Sequence, residues 1–119
     1  MNILLFMTDS SNLTKLKCVS CEGWMKPMTG KETEPLLKQL PDWELVDDIK
    51  IEKKFKFKDF KSALDFVNKV GELAEKEQHH PNIYLYGWNK VKITLTTHIL
   101  HGLSQNDFIM AVKINKIQV

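Results

Sequence analysis

The sequence predicts an α+β domain in which a four-stranded antiparallel sheet carries three helices packed on one face, in the order α-β-β-α-β-β-α. Three observations lead there. Two blocks of alternating apolar and polar residues, 43–58 and 83–97, have the period of half-buried strands. The stretch between them changes to spacings of three and four, the period of a helix. Two cap sequences, beginning at Thr29 and Ser104, start further helices before the first block and after the second.

Each element follows in order. Residues 1–28 show no sustained periodicity and carry Ser10, Ser11, Gly23 and Pro27, so they form a leader that is partly irregular, and residues 29–119 form the domain. Thr29-Gly30-Lys31-Glu32 matches a capping box and starts a short helix to about Leu40, where Pro41 ends it. Trp43, Leu45, Ile49, Ile51, Phe55 and Phe57 alternate with Lys50, Glu52, Lys54, Lys56 and Lys58, with Asp47-Asp48 as the turn between two strands. The lysines then make a solvated sheet face. Asp59 caps the longest helix, whose apolar stripe is Phe60, Ala63, Leu64, Val67, Val70 and Ala74 and which reaches Gln78, roughly 30 Å away. Ile83 to Trp88 and Val91 to Thr97 read as the second strand pair, with Gly87 as a bulge or the turn itself. Ser104-Gln105-Asn106-Asp107 caps the last helix, which carries Phe108, Ile109, Ala111, Val112 and Ile114.

Composition narrows the function. At 119 residues the chain has the size of one domain, and 43% hydrophobic with 27% charged residues exclude the disordered and fibrous classes. All 17 basic residues are lysine. A site that reads DNA bases or clamps phosphate in bidentate fashion relies on the guanidinium fork, so neither nucleic acid nor phosphate is the expected partner. Met1–Met7 lacks a basic leader and is far shorter than a membrane span of roughly 18 residues, which predicts a cytoplasmic protein without membrane partners. Reduced thiols are expected there. Cys18 and Cys21 form a CxxC without a second pair, so half a zinc site, a redox pair and a structural role all stay open.

Histidine is where the chemistry concentrates. His79, His80, His98 and His101 all fall between Glu75 and Asp107, which gathers the side chains that titrate near neutrality into one quarter of the molecule. His79 and His80 follow the long helix directly before Pro81, and His98 follows a strand, so each is presented from an element end. Imidazole both gives and takes a proton near pH 7, which makes proton transfer the leading expectation. Glu75, about one turn before His79, and Asp107 are placed to orient imidazoles, and Trp88, Tyr84 and Tyr86 supply aromatic surface. His101 reads as a bystander. A zinc site from His98, His101 and one of the adjacent pair is the rival arrangement.

The run Glu75, His79-His80-Pro81, Asn89-Lys90-Val91, Ile93, Leu95, Thr97-His98 and Gly102-Leu103-Ser104 with Asp107 closely resembles the pterin-4a-carbinolamine dehydratases over residues 29–119. The resemblance implies a cofactor-independent lyase that removes water from 4a-hydroxytetrahydropterin in tetrahydropterin recycling. It implies His79, His80 and His98 as catalytic residues, Glu75 and Asp107 as their supports, Trp88 and Thr97 as substrate contacts, and no metal. It also implies a homodimer or homotetramer beside an aromatic amino acid hydroxylase, with a non-catalytic assembly cofactor as the alternative.

Overall fold

A computed structural model describes residues 13–119; residues 1–12, with Met1–Met7, Ser10 and Ser11 of the leader, lie outside the described residues. The first helix, α1 (Gly30–Lys38), starts at the expected capping box: the Thr29 hydroxyl accepts from the Glu32 N–H at 3.2 Å, and the Glu32 carboxylate accepts from the Thr29 N–H at 3.0 Å. Strands β1 (Glu44–Val46) and β2 (Lys50–Lys56) follow, joined through Asp47 and Asp48 at φ 54° and 59°. Aspartate tolerates this left-handed backbone better than most side chains. Helix α2 (Phe60–Glu77) is capped by Asp59, whose carboxylate accepts from the Ser62 N–H at 2.8 Å. Strands β3 (Asn82–Tyr86) and β4 (Lys90–Leu95) form the second hairpin, a single 3-10 turn spans His98–Leu100, and α3 (Gln105–Asn115) ends the domain.

The sheet is antiparallel throughout, in the order β1-β2-β4-β3. Its register explains the sequence alternation. Leu45, Ile51 and Leu95 lie opposite one another, as do Phe55, Val91 and Leu85, and these rows face the helices. Phe66, Val70 and Ala74 of α2, Leu36 of α1 and Phe108 of α3 close the core over them. Lys54 and Lys92, then Lys56 and Lys90, pair across the opposite face, the solvated side that alternation predicts.

Several boundaries differ from the sequence reading for local reasons. The α2 stripe runs through Ala63, Phe66, Val70, Ala74 and Glu77, so Phe60 and Leu64 are exposed while Phe66 is a central core residue. Ile49 is exposed in the β1–β2 turn. β3 stops at Tyr86 because Gly87 and Trp88 both take positive φ, and Asn89 then pins the turn by donating its Nδ2 to the Phe57 carbonyl at 2.9 Å. β4 stops at Leu95 because Thr97 turns its N–H to the Gly102 carbonyl at 2.8 Å. Lys53 interrupts the apolar row: its stem packs inward while its ammonium sits 4.7 Å from the Phe55 ring centroid and 3.0 Å from Asn115 Oδ1.

The stripe makes a prediction that equilibrium urea unfolding checks. Phe66→Ala should cost about 3–5 kcal/mol by opening a cavity in the core, and Leu64→Ala about 0.5 kcal/mol as an exposed substitution. Similar costs at the two positions would contradict the orientation of α2.

Candidate active site

Three chain turns meet at one end of the sheet. Gln78 ends α2 in the left-handed conformation at φ 54°, its Nε2 donates to the Glu75 carbonyl at 2.6 Å, and Pro81 keeps the helix from continuing. His79 and His80 are thereby presented at the helix end. After β4, Thr96 donates its hydroxyl to the Ile49 carbonyl at 2.6 Å and Thr97 bridges to Gly102, which folds His98 back as the first residue of the 3-10 turn. The N-terminus of α3 is the third turn.

Asp107 ties these turns together. It is fully buried, and its Oδ1 lies 2.7 Å from His79 Nε2. Its Oδ2 accepts from the Thr97 hydroxyl at 2.8 Å and from the Ser104 N–H at 2.9 Å. The Ser104 hydroxyl in turn lies 2.7 Å from Thr97 Oγ1. Because a carboxylate only accepts, this arrangement assigns the Nε2 proton to the neutral His79 ring and leaves Nδ1 as the nitrogen that can take another.

His80 forms a second pair, with its Nε2 hydrogen-bonded to Glu75 Oε2. The two pairs differ in setting. His79 is 12% exposed, whereas His80 and Glu75 are 57% and 74% exposed, so one imidazole is fixed in the wall and the other stands at the rim. A cleft of about 280 Å³ is lined by His79 and His80, by Thr97 and His98, and by Ser20 and Cys21 of the leader. This is the size of a small planar ligand's seat rather than that of a dinucleotide.

The structure brings together His79, His80, His98 and Thr97, with Asp107 and Glu75 hydrogen-bonded to the first two. Trp88 stands apart from them: it is exposed at the far tip of the β3–β4 hairpin, with the length of β3, about 13 Å, between it and His80. His101 is exposed and does not line the cleft. Among the described residues no three His, Cys, Asp or Glu side chains are grouped as metal ligands, so His98, His101 and one of the adjacent pair, the rival zinc set, are not brought together. No described helix is long and apolar enough to cross a membrane.

Two groups were not visible from sequence. Asn106, buried beside Asp107, holds the leader rather than capping its helix, and Glu77 is buried where a helix pattern gives no reason for an acid. Glu77 Oε2 accepts from Lys113 Nζ at 3.0 Å, and its Oε1 accepts from the Cys18 N–H at 2.9 Å. Burial acts to raise its pKa, but the Cys18 and Lys113 hydrogen bonds and the lysine charge outweigh it and hold the carboxyl below its usual value of 4.5. Burial, with the Glu77 charge beside it, pushes the Cys18 thiol up to about 12. The sequence offers no spacing rule that would have connected Cys18 with Glu77.

The fold and the cleft together define an α+β protein whose helix and strand ends present three imidazoles, two of them hydrogen-bonded to carboxylates, around one small cleft. Comparison with known proteins gives the family. Residues 26–117 match the family model described as pterin 4 alpha carbinolamine dehydratase. A relative from Rubrobacter xylanophilus, provisionally named as a pterin-4-alpha-carbinolamine dehydratase, is 46% identical over 90% of this chain and 99% of its own. Pterin-4-alpha-carbinolamine dehydratase 2, mitochondrial, of Arabidopsis thaliana is 41% identical over 92% of this chain and 60% of its own. The crystal structure of a transcriptional coactivator/pterin dehydratase from Brucella melitensis superposes with a TM-score of 0.71 at 37% identity, over 76% of this chain and 96% of that one. The chain belongs to the pterin-4-alpha-carbinolamine dehydratase family.

The lowered pKa of Glu77 gives a pH prediction with a definite sign. In the unfolded chain Glu77 protonates near 4.5, above its folded value, so the unfolded state takes up the proton first as acid is added. Its contribution to stability is therefore complete above 4.5 and is lost as pH falls through the lowered folded value. Urea midpoints measured across this window should fall less steeply for Glu77→Gln than for the wild type. Parallel acid profiles would contradict the role given to Glu77.

Proposed function

We propose that this chain is a hydro-lyase that dehydrates 4a-hydroxytetrahydropterin to quinonoid dihydropterin by histidine general acid and base catalysis. Family membership supports the substrate class, and one observation carries the chemistry: His79, His80 and His98 line a single cleft, two of them hydrogen-bonded to carboxylates. The reaction breaks the C4a–O bond. One imidazolium delivers a proton to the leaving hydroxyl, which departs as water, and one neutral imidazole removes the proton of a ring nitrogen as its electron pair forms the new double bond. One proton enters and one leaves, so the chain's own side chains balance the step.

The residues take distinct parts in this proposal. Asp107 fixes the His79 ring and its tautomer, and Glu75 orients His80 at the rim. Thr97 lines the cleft and shares Asp107 with His79, which supports a substrate-side role. Trp88 receives no contact in this cleft, since the hairpin tip carries it away. The roles of acid and base are shared among His79, His80 and His98. The reaction belongs to tetrahydropterin recycling beside an aromatic amino acid hydroxylase, and it fits a cytoplasmic protein that needs no cofactor for the step.

A second reading, a non-catalytic assembly cofactor, is favoured by one feature. β3 is an edge strand, and its Ile83 and Tyr84 are exposed, so a second chain could pair along it and form a homodimer or homotetramer. Histidine variants separate the two readings. His80→Ala and His98→Ala should each lower kcat by about 10²- to 10⁴-fold while the mass measured by light scattering stays that of the wild type. Full turnover in both variants would turn the assignment to assembly.

A further inference from the structure

The leader is docked where the cleft needs a wall. Asn106 is buried, and its side-chain amide engages both main-chain groups of Val19: Oδ1 accepts from the Val19 N–H at 3.0 Å, and Nδ2 donates to the Val19 carbonyl at 2.6 Å. An amide carries a donor and an acceptor together, which this pairing requires and a carboxylate lacks. One residue earlier, the Cys18 N–H is held by Glu77, itself fixed by Lys113. Further along, the Met28 N–H donates to the Leu103 carbonyl at 2.8 Å, and Pro27 packs so close to Gly102 that an added Cβ there would fall 2.7 Å from it. The segment is thus pinned at both ends against the elements that build the site.

Between the pins, Ser20 and Cys21 line the cleft. The Cys21 thiol meets Ser104 Oγ at 3.7 Å and Asn106 Nδ2 at 3.5 Å. Ser20 has no hydrogen bond to any of the described residues, so its hydroxyl and main-chain groups are open to a ligand. Asn106 directly precedes Asp107, so one turn of α3 fixes both an imidazole and this wall.

We infer that residues 18–21 form a fixed wall of the cleft which binds the polar edge of the heterocycle through Ser20, with Asn106 and Glu77 as positioning residues. The inference rests on the reading that the cleft takes a pterin. Such a ring presents amide-type donors and acceptors along its pyrimidinone edge, and a hydroxyl flanked by unpaired main-chain groups is complementary to them. No proton of the reaction passes through this wall. It therefore acts on affinity and leaves the chemical step to the histidines.

Two full-length variants and one labelling measurement test it. Asn106→Ala removes the clamp, and Val19→Pro deletes the N–H that Asn106 accepts, at an exposed position outside the core. Each should raise KM by about five- to tenfold, the loss of one or two hydrogen bonds' worth of ordering, with kcat within about twofold and an unchanged pH profile. Because Cys18 stays protonated, iodoacetamide labelling followed by peptide mass spectrometry reports Cys21. The stable analogue 7,8-dihydrobiopterin should slow Cys21 labelling at least about threefold in the wild type, as expected for a thiol shielded by ligand, and much less in either variant. An unchanged KM in both variants, a fall in kcat alone, or labelling indifferent to the analogue in an active enzyme overturns the wall while leaving the dehydratase reading intact. A wild type without turnover whose Cys21 is still shielded removes that reading and keeps the wall.

Discussion

The buried carboxylate of Asp107 is the constraint on which the site depends. It accepts from the Thr97 hydroxyl and the Ser104 N–H and is hydrogen-bonded to His79, so the segment after β4, the start of α3 and the end of α2 are held at one point. A buried carboxylate without partners is costly, and this one has three. The cost of placing it inside is offset only when all three turns are in register. The same bonds that stabilise this corner therefore set the orientation and tautomer of an imidazole.

Around that fixed point the cleft grades from rigid to open. His79 is held in the wall, whereas the His80–Glu75 pair lies at the surface, where an ion pair contributes about 0–1 kcal/mol to stability. In the proposed function Glu75 therefore orients a ring rather than holding the fold. His98 has no side-chain partner among the described residues and is carried by the backbone of a turn closed through Thr97 and Gly102. The leader adds the remaining side through bonds to Asn106 and Glu77, while its Leu13 is buried in the core and Leu16, Cys18 and Met28 pack against it.

Much of this was legible in the sequence, and the reasons differ by residue. The α+β fold follows from period-two blocks flanking a period-3.6 stretch, and the capping box at Thr29 and the cap at Asp59 fall where the residues place them. The meeting of His79, His80 and His98 follows from their positions at element ends. Phe66 was not separable from Leu64 by spacing, because both lie three or four residues from apolar neighbours and only the sheet decides which faces inward. Trp88 shows the limit of proximity along the chain: eight residues after His80, it is carried by an extended strand to the other end of the hairpin. Asn106 and Glu77 were hidden because their partners, Val19 and Cys18, contribute main-chain groups that no residue pattern marks.

The proposed function requires proton transfer to a hydroxylated pterin within the histidine cleft. Stopped-flow absorbance of freshly generated 4a-hydroxytetrahydropterin, with and without the full-length wild-type protein, measures that transfer directly. Decay that accelerates in proportion to protein concentration, well above the spontaneous rate, is the predicted result. Decay at the spontaneous rate at every protein concentration would contradict it.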